Sequence, residues 1–281
     1  MSTEQKVALL KSKLEELGSV LVAFSGGVDS TFVLAVAASV LGDKAVALTA
    51  TSASLPEEEL FEAQQLAKSF GVRHVAVSSN ELHDPRYAAN PTNRCYFCKT
   101  ELYDLCEKKR AELKVAAIVD GFNADDFKDH RPGHQAAKEH AVRSLLAECG
   151  LSKDEIRAES KKMSLPTWDK PQLACLSSRL PYGTQVTVER LNQIGRAERA
   201  VRSLGFKVFR VRYHGEIARL EVSAEEWAQA SARSRELDAA IKGAGFTFVA
   251  LDLEPFRSGR LNDTLSQVAT REGTGMALPI L

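Results

Sequence analysis

Apolar residues along this chain fall into short runs and longer stripes that alternate. The short runs are Val20-Leu21-Val22-Ala23, Ala45-Val46-Ala47-Leu48, His74-Val75-Ala76-Val77 and Val115-Ala116-Ala117-Ile118-Val119. They are too brief for helices and carry little polar alternation, the pattern of strands covered on both faces of a parallel sheet. Between them lie helical patterns. Val7, Leu10, Leu14 and Leu17 form one stripe, closed by Gly18, and Phe32 to Ala38 is apolar all round and alanine-rich, as a buried helix is. Pro56-Glu57-Glu58-Glu59 opens a helix running to about Phe70, with proline in the first turn and acids at the positive end of the dipole. Further helices are predicted over Lys99–Leu113, His134–His140 and Ser152–Lys162, the last behind a capping box, Ser152 to Glu155. Strand alternating with helix predicts an α/β fold, a doubly wound parallel sheet over residues 1 to about 180.

The texture then changes. A helix near Val188–Leu204 precedes Val208–Tyr213, a turn at His214-Gly215, and Ile217–Val222, which together read as a hairpin. A helix over Ala224–Ala244 and a strand over Phe246–Leu253 complete an αββαβ unit. The expected division is residues 1–184 for the large domain and 185–281 for a smaller α+β domain. Lys+Arg and Asp+Glu are equal at 37 each, so no global field draws the protein to nucleic acid or an anionic membrane. No apolar stretch reaches spanning length, and Met1-Ser2-Thr3-Glu4-Gln5 does not open a secretory signal. With five cysteines, a CxxC among them, a reducing cytoplasmic setting is expected.

The chemistry starts after the first strand, at Phe24-Ser25-Gly26-Gly27-Val28-Asp29-Ser30-Thr31. Adjacent glycines let a backbone close on an anion, and the N–H groups at the start of the next helix favour phosphate. Ser25, Ser30 and Thr31 add hydroxyls, and Asp29 is suited to Mg²⁺. The plainer alternative is a capped turn. A Walker lysine and a GxGxxG turn are both missing. SGGxDS instead resembles the PP-loop ATP pyrophosphatases, which split ATP between the α- and β-phosphates and transfer AMP to a substrate oxygen. Ligands gather at the carboxyl ends of parallel strands. The polar end of the second strand, with Thr51, is therefore placed at adenine or ribose, and Asp125 and Asp126 after the fourth strand lie in a second such cluster.

Cys95 and Cys98 form half a zinc site at most, and a redox pair is the plain reading of CxxC. Cys106 and Cys149 sit among Leu and Ala and read as core thiols. Cys175 lies in a proline-bounded stretch close in sequence to Ser178 and Arg179, where a cation favours thiolate. A CxxC plus one distant cysteine suits a [4Fe-4S] cluster with one iron left open; alternatively Cys175 gives up its own sulfur. Arg210 and Arg212 share a strand face, either solvated or set for phosphate or carboxylate, and Glu198 has the ordinary reading of a surface acid.

Taken together, SGGVDS, NRCYFCK, DGFNADD, TWDKPQLACLSSRLPYG, FRVRYHG and LDLEPFRSGRLN resemble the LarE family, ATP-dependent sulfur transferases of nickel-pincer nucleotide synthesis. The resemblance spans almost the whole chain. It implies a PP-loop domain, a smaller domain over 185–281 that binds substrate and supports oligomerisation, and a homo-oligomer. It also implies AMP transfer onto a carboxylate of a pyridinium dicarboxylate mononucleotide, a small anionic nucleotide, followed by thiocarboxylate formation. Some members sacrifice a cysteine, and others hold a [4Fe-4S] cluster on three. Cys95, Cys98 and Cys175 resemble the three-cysteine type, with Cys175 a cluster ligand more than a donor. Carried over, Ser25, Gly26, Gly27, Asp29 and Ser30 take ATP and Mg²⁺. Ser178, Arg179, Glu198, Arg210 and Arg212 take the substrate's phosphate or carboxylates, and Asp125 and Asp126 the Mg²⁺ or nucleotide. A tRNA-thiolating enzyme, against which zero net charge weighs, and an ammonia-using synthetase, which leaves the cysteines without a task, are the alternatives.

Overall fold

The computed structural model describes residues 1–126, 133–172 and 174–263. Two compact units divide the chain, one of residues 1–175 with 185–188, the other of 176–184 with 189 onward.

In the first unit the elements run α1 (Thr3–Leu17), β1 (Val20–Ala23), α2 (Val28–Leu41), β2 (Ala45–Thr51), α3 (Glu57–Ser69), β3 (Arg73–Ser78), α4 (Pro85–Ala88), α5 (Arg94–Leu113), β4 (Ala117–Val119), α6 (Gly133–Glu139), α7 (Leu145–Glu148) and α8 (Lys153–Lys162). The four strands are parallel in the order β3-β2-β1-β4. The order reverses at β1, so the loops after β1 and β4 diverge and leave a crevice at the strand ends. Side chains alternate between two cores. Val20, Val22, Ala45 and Ala47 meet Phe32 of α2, Leu66 of α3 and Ile156 of α8. Leu21, Ala23, Val46 and Leu48 meet Tyr103 and Cys106 of α5 and Ala136 of α6. Period two therefore buries both faces, which is why the strands read as unbroken apolar runs.

Two boundaries differ from the sequence reading in ways that bear on chemistry. Helix α5 begins at Arg94, not Lys99, because the Arg94 N–H already turns back to the Pro91 carbonyl at 3.0 Å. Cys95 and Cys98 thus stand in the first turns, three residues apart and on one helix face. Strand β4 starts at Ala117 because the Val115 N–H closes the end of α5 on the Arg110 carbonyl, behind Lys114 at φ 56°. Cys106 and Cys149 are buried core thiols, as the sequence reading expects.

Glu155 pins α8 to α1. Its carboxylate accepts from Lys6 Nζ at 2.7 and 2.8 Å, from Thr3 Oγ1 at 3.0 Å and from the Ser152 N–H at 2.8 Å. Lys6 above all, then the Ser152 N–H, hold its carboxyl down to about 2 against a small burial cost. The folded value lies below the unfolded one, so the group's contribution is complete above about pH 4.5 and disappears as the pH falls toward 2. Both side chains are partly exposed, so about 1 kcal/mol is expected after screening. Urea unfolding of Glu155→Gln beside the native protein measures it, and their difference in stability closes across that acid window.

The second unit holds α9 (Val188–Ser203), β5 (Phe209–His214), β6 (Ile217–Val222), α10 (Ala224–Ala232), α11 (Ser234–Lys242) and β7 (Phe248–Leu251). Strands β5 and β6 are antiparallel and β6 and β7 parallel. The hairpin turns through Gly215 and Glu216, with Gly215 at φ 68°, the first-position glycine that a tight primed turn uses. Phe209, Val211, Ala218, Leu220 and Val222 are buried at alternate positions. The helix expected over Ala224–Ala244 is two helices parted at Arg233, whose guanidinium donates to the Leu204 carbonyl.

Candidate active site

The phosphate loop is built by a helix start that has no side-chain cap. Gly27 is the residue before α2, Gly26 stands at φ 70°, and no side chain bonds the first-turn N–H groups. The loop is braced from within. The Ser25 N–H donates to Ser30 Oγ at 3.3 Å, the two serine hydroxyls lie 3.1 Å apart, and Ser30 Oγ donates to the Gly27 carbonyl at 3.3 Å. A Cβ on Gly26 would press on Ala63 at 3.3 Å, and one on Gly121 would stand 3.0 Å from the Ser30 nitrogen. Gly121 therefore lets the loop after β4 close against the first turn of α2, and any larger residue would move the helix start. Thr51 ends β2, its hydroxyl donating to the Val77 carbonyl at 3.3 Å.

Around this loop the chain places groups that its sequence did not single out. Asp29 Oδ2 accepts from Lys153 Nζ at 2.5 Å, while Asp29 Oδ1 is buried with no hydrogen bond of good geometry. Burial pushes the Asp29 carboxyl up, Lys153 pulls it back and the charge of Asp126 raises it. Asn123 Oδ1 accepts the N–H groups of Asp125 and Asp126, and Asp125 Oδ2 accepts the Lys153 N–H at 2.9 Å. The stretch before Cys175 folds back on the loop. Arg157 donates to the carbonyls of Trp168 and Lys170, and Lys170 Nζ reaches Glu59 at 2.8 Å, Glu62 at 2.6 Å and the Gly26 carbonyl at 3.4 Å. Burial alone would lower Lys170, but the two glutamates hold it raised.

The thiols meet in the same unit. None of the five cysteines is in a disulfide. Burial first, then the Glu81 carboxylate and Cys175, push the Cys98 thiol well up. Cys95 keeps an exposed edge in a crowded region; desolvation and the charge of Cys175 raise its thiol and Arg94 pulls it back. Arg94 is buried, donates to Asn90 Oδ1 at 2.6 Å and, against the cost of burial, is raised by Cys175, Cys95 and Cys98. Glu81 is buried and accepts from Ser52 and Ser54 at 2.7 and 2.6 Å. Among the described residues no three His, Cys, Asp or Glu side chains are closed around a metal position.

The second unit carries its own cluster, the polar face of β5 and β6. Arg210 stands opposite Glu221 in the ladder and Arg212 opposite Arg219. The like charges are relieved diagonally: Arg212 donates to Glu221 at 3.0 and 2.8 Å, and Arg219 lies 3.1 Å from the same carboxylate. Arg179 forks onto Glu198 with both bonds at 2.8 Å, and Glu198 also accepts the Val211 N–H at 3.0 Å. Glu198 is thus buried, not a surface acid. Burial would raise it, yet Arg179 and Val211 hold it below the ordinary range. Ser178 is gripped by both arginines, its hydroxyl by Arg179 at 2.9 Å and its carbonyl by Arg212 at 2.9 Å. Arg210 stacks on Phe256 at 4.7 Å, and burial, with repulsion from Arg179 and Arg212, lowers it to about 10. The face carries positive charge that an anion would relieve.

Lys153 and Lys170 escaped the sequence reading because charge in a loop or first helical turn ordinarily signals solvent. Lys153 did leave one trace. A lysine at the first helical position opposes the dipole, so it asks for an anion nearby.

Comparison with known proteins agrees with this architecture. The NAD synthase family model matches residues 2–94. An uncharacterized protein of Synechocystis sp., slr1717, is 47% identical over 94% of this chain and 99% of its own length. The pyridinium-3,5-bisthiocarboxylic acid mononucleotide synthase of Lactiplantibacillus plantarum is 38% identical over 94% of this chain and 97% of its own length. GMP synthase of Chlamydia caviae is similar at 24% identity over 58% of this chain and 35% of its own. Near-complete coverage at that level of identity, on a PP-loop sheet with a small second unit, places the chain in the LarE family of pyridinium-3,5-bisthiocarboxylic acid mononucleotide synthases, as an ATP-using enzyme.

Proposed function

We propose that this chain adenylates a carboxylate of a pyridinium dicarboxylate mononucleotide and converts it to a thiocarboxylate. The substrate carboxylate attacks the α-phosphorus of ATP, the bond to the β-phosphate breaks, and pyrophosphate leaves. A sulfur nucleophile then attacks the acyl carbon and AMP leaves. Ser25, Gly26, Gly27 and Ser30 bind the phosphates, Asp29 with Asp125 and Asp126 serves Mg²⁺, and Thr51 borders the nucleoside. Arg210, with Arg179 and Arg212 behind Ser178, binds the substrate's phosphate or carboxylates, and Glu198 and Glu221 hold those arginines in place.

The observation that favours sulfur over ammonia is the grouping of Cys95, Cys98 and Cys175 about buried Arg94 in the unit that carries the phosphate loop. The donor set fits a [4Fe-4S] cluster: the charge of Cys175 raises the thiols of both Cys95 and Cys98, and a cation shared among the three would relieve it. When bound, such a cluster supplies sulfide at an open iron. The chain's part is to offer Cys95 and Cys98 from one face of α5, to fix the Cys98 side with Glu81, and to bring Cys175 beside them. Among the described residues no helix is long and apolar enough to cross a membrane, and a cytoplasmic homo-oligomer completes the reading. Incubation with α-labelled ATP, Mg²⁺ and substrate should yield labelled AMP, with pyrophosphate in equal amount. Labelled ADP with orthophosphate would overturn the adenylation step.

A further inference from the structure

The loop Ser25–Ser30 contains no lysine, although a nucleotide's triphosphate brings several negative charges to it. A cation reaches the loop from elsewhere in the chain. Lys153 Nζ lies 2.5 Å from Asp29 Oδ2, while the other oxygen of the same carboxylate is buried with no hydrogen bond of good geometry, the Asn123 side chain being its polar neighbour. A half-served carboxylate at the mouth of a phosphate loop has room for one more cation. A divalent ion at about 2.1 Å from the open oxygen repels the ammonium held on the other one, while the incoming phosphate offers that ammonium a new partner. The two therefore exchange.

We propose that Lys153 neutralises Asp29 while the loop is empty and turns onto a phosphate oxygen of the nucleotide when a divalent cation takes Asp29. It thereby becomes the phosphate-contacting lysine that the loop itself lacks. The inference rests on the reading of Ser25–Ser30 as an ATP site.

The root of Lys153 is fixed and its tip is free. Its N–H is held by Asp125 Oδ2 at 2.9 Å, and α8 behind it is locked by the Ser152–Glu155 capping box and by Lys6. The side chain keeps 31% of its surface exposed, so its stem can swing without disturbing a core. Lys170 is the other nearby lysine, and it is a poorer choice. It already serves two carboxylates, Glu59 and Glu62, and holds the Gly26 carbonyl, which makes it a brace of the loop. Lys153 has one such partner, and that partner is the one a metal would claim.

The test uses the full chain and two ligands that need no turnover. Affinity for α,β-methylene ATP with Mg²⁺ is measured by calorimetry, and affinity for Mn²⁺ alone by electron paramagnetic resonance, in the native protein, Lys153→Met and Lys153→Arg. Lys153→Met should bind the analogue about ten- to a hundredfold more weakly, the loss of one charge-assisted contact. It should bind Mn²⁺ alone as tightly as the native protein or more tightly, because Asp29 is released. Lys153→Arg should recover much of the analogue affinity. Unchanged analogue affinity in Lys153→Met overturns the proposal, as does parallel loss of both ligands, which would mean that the lysine only holds Asp29 in place. Lys153→Gln serves the same comparison if the methionine variant does not fold. Should the native protein itself fail to bind the analogue with Mg²⁺, the ATP-site reading falls, and this inference with it.

Discussion

Cys95→Ala, Cys98→Ala and Cys175→Ala should each abolish both iron binding and turnover, while the fold survives. The argument is one of shared ligation. Cys95 and Cys98 lie one helical step apart at the start of α5, and the charge of Cys175 is felt at both. A cluster held by three thiolates loses its cage when one is removed, since a two-point site leaves iron open to solvent and to loss. Folding should be spared, because none of the three belongs to either apolar core, the one with Cys149 or the one with Cys106. Iron and sulfide analysis after anaerobic reconstitution, with turnover counted per chain, makes the check. The rival mechanism gives a different pattern. If Cys175 donates its own sulfur, only Cys175→Ala is inactive, the native protein stops after a single turnover, and its intact mass falls by one H₂S. Cys95→Ala and Cys98→Ala would then stay active.

A second large effect is expected in the small unit, and it separates two arginines that look alike in sequence. Arg212→Met leaves Glu221, which is fully buried, without its bidentate partner. Breaking a buried pair this way costs about 3–5 kcal/mol, and the lower end is expected because Arg219 remains 3.1 Å away. The loss should appear in urea unfolding before any ligand is added. Arg210 behaves differently. It stacks on Phe256 and donates to the Phe209 carbonyl, and Arg179 and Arg212 repel it while Glu198 and Glu221 draw it. Arg210→Met should cost less in unfolding than Arg212→Met and weaken a pyridinium nucleotide such as nicotinic acid mononucleotide about ten- to a hundredfold. Equal stability loss in both variants would return Arg210 to a structural role.

These two arginines also mark what a sequence can and cannot disclose. Period two puts Arg210 and Arg212 on one strand face, and the ladder agrees. Pattern alone cannot say that Glu221 comes diagonally from β6, so it cannot tell an arginine held by a carboxylate from one offered to a ligand. Glu198 shows the same limit. A glutamate in a helix ordinarily faces water, and only the approach of Arg179 and the edge N–H of Val211 explains its burial. The phosphate loop was legible because it is local: its glycines, hydroxyls and helix start lie within a few residues. So was the parallel sheet, whose two-sided burial writes itself as unbroken apolar runs. Lys153, Lys170 and Glu81 act across long stretches of chain, and beyond the helix-start position of Lys153 nothing in their neighbours announces the partner.

The most direct measurement is the mass of the nucleotide product. Anaerobically reconstituted protein is given the pyridinium dicarboxylate mononucleotide, ATP, Mg²⁺ and sulfide, and product and AMP are quantified together. Sulfur transfer gives a product in which one carboxylate oxygen has been replaced by sulfur, in step with AMP. A carboxamide formed with added ammonia, or AMP released with no sulfur in the product, would contradict it.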